Sequence, residues 1–381
     1  MLKNLKNKKI LIISPNFWGN NHVTKHHYAS YLSKKNEVWF LEPPLKLNRN
    51  NFEILLIDNN IKIIKHKYLF PGRIKNFSRF LYYSLMKYHV KYLIKKINIK
   101  FDIIIDFSCD LDYANSLVNY FDAKIIVLFP VDPVTSYYAK YSNKIATHYI
   151  SITKEILKKI DMKNINHIAI GHAISNQYKI LASKNYKKNM NQNKPLNVGY
   201  IGSLIRDQID TKNFMKVIKK NKDLKFHLWG GYDSTDPLSI GYNSIISAKT
   251  LDFISFLKKS ENVILYGSTP KNKIIENIDL IDLFFICNDV SAYPEDIVNS
   301  HKVLEYLAHG KAIVSHHMID YVNTDVINMP KNADNSEYLN VFHNAIKSIQ
   351  DLNSEDMIKK RKKIALNNLY TDKISIIDQF L

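Results

Sequence analysis

A polar segment, residues 183–195, divides the sequence into two halves that repeat one pattern. The segment has almost no aliphatic residues, which is typical of a linker. On each side of it, short apolar runs alternate with stretches whose apolar residues recur at helical spacing. Buried strands that alternate with helices indicate parallel sheets built from βαβ units. The sequence therefore predicts two Rossmann-like, doubly wound α/β domains with a cleft between them.

The predicted strands are apolar runs that end at glycine, proline or polar residues. In the first half they lie at 9–14, 37–41, 101–106, 124–129, 148–152 and 167–172, with one or two more in 52–65. In the second half they lie at 196–201, 224–229, 263–266, 283–287 and 312–314. No Gly-x-Gly-x-x-Gly motif occurs, and only Gly19 lies in the first loop. This pattern disfavours a dinucleotide-dependent dehydrogenase.

The stretch 299–315 predicts a short helix, a glycine stop and a buried strand. Gly310 suits the left-handed residue that ends a helix. Lys302 and Glu305 lie three positions apart and therefore share one helix face. The carboxylate could accept ribose hydroxyls, while the cation and the helix N–H groups could face a diphosphate. The alternative is an ordinary amphipathic helix with an exposed Lys–Glu pair.

The chain is strongly basic, with a formal net charge of +19. Residues 62–100 contain eleven Lys or Arg and no acidic residue, and aromatic side chains are interleaved with the charges. Three interpretations remain open: a sheet-packing helix with a solvated basic face, a helix that rests on an anionic membrane leaflet, or a nucleic-acid site. No nucleic-acid-reading motif supports the third, so we expect no nucleic-acid partner.

Cysteine usage and apolar run lengths indicate a cytoplasmic protein. Cys109 and Cys287 are far apart in sequence, which disfavours a disulfide framework or a zinc cluster. The basic start is followed by an apolar run over 10–13 only, too short for a signal peptide or a membrane span.

Several motifs together resemble the bacterial GT-B glycosyltransferases, in particular the large family (family 4, or group 1) that contains many capsule and lipopolysaccharide enzymes. In the second half these motifs are Asn-Val-Gly-Tyr-Ile-Gly-Ser at 197–203, Asn-Val-Ile-Leu-Tyr-Gly at 262–267, Ile-Asp-Leu-Phe-Phe-Ile at 281–286, and the predicted helix, glycine and strand at 300–314. In the first half they are 14–29 and 168–172. The resemblance covers most of the chain and is more specific in the second half.

The resemblance implies a set of donor-binding residues. Glu305 would accept the ribose hydroxyls. The backbone at Ser300 and His301 would meet the diphosphate, with Lys302 nearby. The remaining implied donor-binding residues are Gly202 and Ser203, which allow close approach to the phosphates, and Arg206, which could neutralise the leaving diphosphate. Neither a metal nor another cofactor is expected, because cations and helix ends can stabilise that leaving group.

The catalytic assignment stays more open. Many family members carry a second glutamate eight positions before the ribose-binding one, and Ile297 stands there in this chain. The stereochemistry is therefore undecided. An inverting reaction needs a base in the first domain. Asp132, at a predicted strand end, is the first candidate, and His22 and His26 in the first loop are next; Gly19 and Asn20 would lie on the acceptor side.

The resemblance implies a metal-independent glycosyltransferase of bacterial surface polysaccharide synthesis. It would use a nucleotide sugar, in particular a UDP-sugar, and a glycan or lipid-linked acceptor. Residues 62–100 would bring it to the inner face of the cytoplasmic membrane. We expect an acceptor domain at 1–182, a nucleotide-sugar domain at 196–355 and a helix at 356–381 that returns to the first domain. The alternatives are a nucleotide-sugar epimerase of similar architecture and a non-catalytic polyanion-binding protein.

Overall fold

The computed structural model describes residues 2–19, 22–45, 51–58, 60–108, 123–132, 146–160, 165–184, 195–235, 246–294 and 301–381. The chain forms two compact units. The first contains Met1–Gly171 together with Tyr370–Leu381, and the second contains His172–Leu369. Most of the expected linker at 183–195 lies outside the described residues.

The first unit is built on an eight-stranded sheet. Its strands are β1 (Lys9–Ile13), β2 (Glu37–Leu41), β3 (Phe52–Asp58), β4 (Ile61–His66), β5 (Ile103–Asp106), β6 (Ile125–Leu128), β7 (His148–Ser151) and β8 (Asn166–Ala169). The strand order is β3-β4-β2-β1-β5-β6-β7-β8. Only β3 runs antiparallel to its neighbour. The central strand β1 is buried from Ile10 to Ile13, as expected for a parallel strand with both faces covered.

The described helices of the first unit are α1 (Thr24–Leu32), α2 (Arg79–Ile97), α3 (Lys154–Lys158) and the C-terminal helix (Tyr370–Phe380). The hydroxyl of Ser78 accepts the N–H of Leu81 and caps α2, which ends at the left-handed Asn98. A 3-10 helix at Gly72–Asn76 precedes α2. The C-terminal helix packs against α1, where Tyr370 meets the ring of Tyr28 edge-on.

The second unit contains a five-stranded parallel sheet. Its strands are β9 (Asn197–Ile201), β10 (Lys225–Trp229), β11 (Val263–Gly267), β12 (Leu283–Ile286) and β13 (Ala312–Ser315). They are ordered β11-β10-β9-β12-β13. The strand order reverses direction at β9, which lies between β10 and β12. In open parallel sheets, ligands bind beyond the carboxyl ends of the strands at such a switch point.

The α-helices described in the second unit cover both faces of this sheet. They are α4 (Asn176–Ser183), α5 (Thr211–Lys220), α6 (Ala248–Lys259), α7 (Lys271–Asn277), α8 (His301–His309), α9 (Tyr338–Lys347), α10 (Ile349–Leu352) and α11 (Glu355–Leu366). Helices α4, α7 and α8 contribute to one apolar core, and α5, α6 and α9 contribute to the other. The two predicted Rossmann-like sheets are thus confirmed. Along the described chain, no helix is both long and apolar enough to span a membrane.

Candidate functional site

Helix α8 places Lys302 and Glu305 in the interior of the second unit. Their exposed fractions are only 9% and 6%. The alternative interpretation, an ordinary amphipathic helix with an exposed Lys–Glu pair, is therefore wrong. Because an ionised group loses its hydration on burial, both side chains need partners of opposite charge or polar ligands. Those partners identify what this part of the helix can bind.

Lys302 lies against the turn that follows β9. Gly202 has a φ of +155°, and a Cβ atom there would overlap the ammonium of Lys302. The N–H of Gly202 donates to the carbonyl of Trp229 at 2.7 Å, which ties the ends of β9 and β10 together. At the end of β10, Gly230 has a φ of +150°, and a Cβ there would overlap the carbonyl of Gly202. The two glycines thus leave room for a buried cation next to the backbone of the turn.

The surroundings of Lys302 favour an anionic ligand. Its Nζ lies 5.1 Å from the centre of the Tyr200 ring. Burial and then the positive charge of Arg206 lower the pKa of Lys302 to about 7, while the charge of Glu305 opposes the shift. A phosphate group near Nζ would relieve both unfavourable effects, because an opposite charge stabilises the protonated amine. The site is thus suited to bind a phosphate group.

Glu305 is held by a cation that the sequence did not reveal. The Nζ of Lys271, in the first turn of α7, lies 2.7 Å from Oε1 of Glu305. The same ammonium lies 5.9 Å from the centre of the Tyr178 ring on α4. Burial, followed by the charge of Glu305, raises the pKa of the Tyr178 phenol well above its ordinary value. Three helices therefore converge on one carboxylate.

Two further predicted donor residues lie near Lys302. Arg206 is exposed, and its Nε donates to Gln208 at 3.3 Å. His301 keeps part of its surface exposed, and its ring lies 6.0 Å from the ring of His172. Desolvation of that ring and then the neighbouring side chains Lys271, His172, Lys302 and Arg206 hold the pKa of His301 well below its ordinary value. Ser203 is buried, and Ser300 lies outside the described residues.

The first-loop histidine His26 is buried and bonded to backbone at both ring nitrogens. Its Nδ1 accepts the N–H of Val23 at 3.1 Å, and its Nε2–H donates to the carbonyl of Phe17 at 3.0 Å. Burial and then the neighbouring His22 lower the pKa of His26 to about 4. The imidazole is therefore neutral near pH 7 and orders the loop in this structure. Its role as a base stays a prediction.

The other candidates of the first unit differ in their surroundings. His22 stacks on His26 and meets Trp18 edge-on, and the backbone N–H of Trp18 donates to Glu42 at 2.6 Å. Gly19 lies in the same loop, and Asn20 is outside the described residues. Asp132 is exposed and follows the carboxyl end of β6. Within the described ranges, no group of three His, Cys, Asp or Glu side chains is placed to hold a metal ion.

No protein-family model and no curated protein matches this chain by sequence. Solved structures do match. Sucrose-phosphate synthase from Thermosynechococcus elongatus has a TM-score of 0.67 and 10% identity, over 98% of this chain and 99% of that one. Anabaena HepE, solved with UDP and glucose, has a TM-score of 0.66 and 11% identity, over 98% and 100%.

The lipopolysaccharide outer core galactosyltransferase WaaB is a third match, with a TM-score of 0.59 and 13% identity. The match covers 96% of this chain and 98% of WaaB. All three similarities extend over nearly the whole chain. Because the sequence identity is very low, they establish the fold alone. The chain therefore has the two-domain GT-B fold of these glycosyltransferases, as its sequence motifs predicted.

Proposed function

We propose that this protein is a glycosyltransferase that transfers a sugar from a UDP-sugar to a glycan or lipid-linked acceptor in bacterial surface polysaccharide synthesis. One observation carries the proposal. A buried Lys302 beneath Gly202 and a buried Glu305 lie on one helix of the parallel-sheet unit. Two structural neighbours were solved with the matching class of ligand: HepE with UDP-glucose, and an Escherichia coli trehalose-6-phosphate protein with UDP-2-fluoro glucose.

The site supplies partners for the ribose and for the diphosphate of the donor. Glu305 accepts the ribose hydroxyls, because a carboxylate is an acceptor with room for two donors. Lys302 and the exposed Arg206 bind the diphosphate, with the backbone at His301 and Ser300 beside it. Gly202 and Ser203 allow the phosphates to approach the main chain. These groups stabilise the departing nucleoside diphosphate by charge, so the proposal requires no metal.

The reaction breaks the bond between the anomeric carbon and the diphosphate oxygen. The acceptor hydroxyl forms the new glycosidic bond and loses its proton. If the configuration inverts, a base must take that proton, and Asp132 is our first candidate because it is exposed beyond a strand end. His22 follows. His26 is less suited, since both of its ring nitrogens are bonded to backbone. Gly19 and Asn20 would lie on the acceptor side.

The surface around α2 supports an acceptor at the inner face of the cytoplasmic membrane. Phe77 and Phe80 are 89% and 83% exposed, and Tyr88 is also exposed. The neighbouring Arg73 and Arg79 are exposed as well. Exposed aromatic rings among cations suit an anionic leaflet, because the rings enter the interface while the cations meet lipid headgroups. This charge complementarity favours a lipid-linked acceptor.

Donor binding is tested by calorimetric titration of UDP and UDP-sugars into the wild-type protein and Glu305→Ala. We expect UDP binding in the wild type and a loss of roughly 5- to 150-fold in the variant, since a buried ligand group left unpaired costs about 1–3 kcal/mol. Glu276→Ala, which removes an exposed carboxylate paired with Lys273, is the matched control. Unchanged UDP affinity in Glu305→Ala would remove the assignment, and absence of UDP binding in the wild type would remove the proposed function.

The membrane assignment is tested by sedimentation with vesicles that contain phosphatidylglycerol. Binding should be strong at low salt and weaken as salt screens the charges. The double variant Phe77→Ser/Phe80→Ser should bind less. Ile319→Ser, which removes an exposed apolar side chain from the second unit, should bind like the wild type. Equal binding to neutral and anionic vesicles, or no binding at all, would contradict the assignment.

A further inference from the structure

Lys271 and Lys273 lie on the same helix but have different partners. Lys271 pairs at 2.7 Å with Glu305, whose side chain is 8% exposed. Lys273 pairs at 2.9 Å with Glu276, and both of those side chains are well exposed. An exposed pair contributes little, because water already solvates both charges. A partner for a buried carboxylate determines where that carboxylate points.

The position of Lys271 is fixed by its local structure. Pro270 immediately precedes α7, and its φ of −57° suits the start of a helix. The following turn of α7 buries Ile274 in the core that also contains Tyr178. The ammonium of Lys271 is consequently held between Glu305 and the face of the Tyr178 ring. The ammonium of Lys271 has three N–H donors, which is more than Oε1 of Glu305 alone can accept.

We propose that Lys271 is a positioning residue of the nucleotide site, which holds the Glu305 carboxylate in the orientation that accepts the two ribose hydroxyls. This inference rests on the proposed function, since it requires that Glu305 binds ribose. Lys302 has the complementary role, because its ammonium lies beside the Gly202 turn, where phosphate would bind. The two lysines flank one carboxylate but act on different parts of the nucleotide.

The separate roles of the two lysines distinguish positioning from simple attraction. If Lys271 acted through its charge alone, its removal would weaken the binding of every anionic ligand equally. A cation that orients Glu305 would affect only ligands that carry ribose hydroxyls. UDP carries two of them, 2′-deoxy-UDP carries one, and pyrophosphate carries none.

The experiment measures the affinities of these three probes for the full chain by calorimetry. In Lys271→Met, UDP affinity should fall by roughly tenfold, 2′-deoxy-UDP affinity by less, and pyrophosphate affinity should stay unchanged. Lys271→Arg, which keeps a cation, should restore most of the UDP affinity. Lys273→Met should behave like the wild type. An equal loss for all three probes, or no loss for UDP, would overturn the proposal.

A double-mutant cycle tests whether Lys271 acts through Glu305. In a Glu305→Gln background, Lys271→Met should cause no further loss of UDP affinity, because the group that it orients is already altered. Fully additive losses would overturn the proposal. Thermal unfolding of each variant reports whether the unit stays folded, and retained pyrophosphate binding shows that the phosphate region is intact. Failure of the wild type to bind UDP is a separate result, which would refute the proposed function itself.

Discussion

The carboxylate of Asp378, on the C-terminal helix, accepts the backbone N–H of Leu5 at 2.6 Å. It also accepts the N–H groups of Lys3 and Asn4, each at 2.7 Å. Burial alone would raise the pKa of this carboxyl, but the three backbone donors together lower it below its ordinary value of 3.8. One side chain therefore joins the first residues of the first unit to the last helix of the same unit.

We expect Asp378→Ala to lower the free energy of unfolding at pH 7 by about 2 kcal/mol, a typical value for hydrogen bonds to a charged group. Because the folded-state pKa is lowered, the stabilisation is complete above the ordinary value of 3.8 and is lost as the pH falls below it. Urea denaturation between pH 3 and 7 measures both effects. Asp372→Ala removes an exposed carboxylate from the same helix and should change little. Equal effects of the two substitutions would contradict this prediction.

The two glycines at the ends of β9 and β10 should respond differently to alanine. Gly230→Ala drives a Cβ into the carbonyl of Gly202, which is backbone and cannot move aside. We expect a stability loss of about 2 kcal/mol or more, as for other overpacked sites. Gly202→Ala meets the flexible end of Lys302, so its main effect should be on UDP affinity.

Thermal unfolding and UDP titration of the two glycine variants separate these effects. A larger stability loss in Gly202→Ala than in Gly230→Ala would be inconsistent with the geometry.

UDP affinity should depend on pH through Lys302. Before UDP binds, the pKa of the Lys302 ammonium is about 7, lowered first by burial and then by Arg206. Bound phosphate favours the protonated form, so binding takes up a proton once the pH exceeds that pKa. The dissociation constant should rise by up to roughly tenfold per pH unit between pH 7.5 and 9.5. Calorimetry in buffers of different ionisation enthalpy would measure the proton uptake.

Lys302→Arg is the control for this pH dependence. Arginine stays charged over the whole range, so its UDP affinity should vary less with pH than that of the wild type. An equally steep dependence in both proteins would exclude Lys302 as its source.

A buried histidine pair should make the first unit sensitive to acid. Nε2 of His89 lies 3.1 Å from Nδ1 of His66, whose Nε2 lies 3.1 Å from the carbonyl of Glu42. Burial, helped by the charge of His89, lowers the pKa of His66 to about 3, and burial lowers the pKa of His89 to about 4. The unfolded chain takes up these protons near the ordinary value of 6.5, so stability is lost as the pH falls below it.

The measurement is the pH dependence of urea denaturation from pH 4.5 to 7. Each histidine should contribute up to about 1.4 kcal/mol per pH unit to the slope. His89→Phe should flatten the slope, whereas His167→Gln, at an exposed position, should leave it unchanged. A slope that His89→Phe does not alter would show that acid sensitivity arises elsewhere.

Most strands could be predicted from sequence because their signal is local. A strand that is covered on both faces needs an uninterrupted apolar run, and β1, β9 and β12 each have one. Glycines with positive φ, such as Gly202 and Gly310, mark where an element ends. Helix α6 is absent from the predicted elements, although Phe253, Ile254 and Leu257 recur at helical spacing and are buried.

The contacts of the site were less accessible to sequence reasoning. Lys302 and Glu305 could be placed on one helix face, since helical spacing depends only on neighbouring residues. The actual partner of Glu305 is Lys271, which is 34 positions away. A local sequence pattern does not reveal a contact between residues so far apart in the chain, because this pairing depends on how α7 and α8 pack on the sheet. The same limitation hid the pairing of His66 with His89.

The division of the chain also has a consequence for the order in which the protein is made. The second unit is continuous, from His172 to Leu369, whereas the first unit needs Tyr370–Leu381. Asp378 and Leu5 are separated by 373 positions. During synthesis, the first unit therefore cannot be completed until the whole second unit has been translated. Contacts between such distant positions also form slowly. The unit that begins first is completed last.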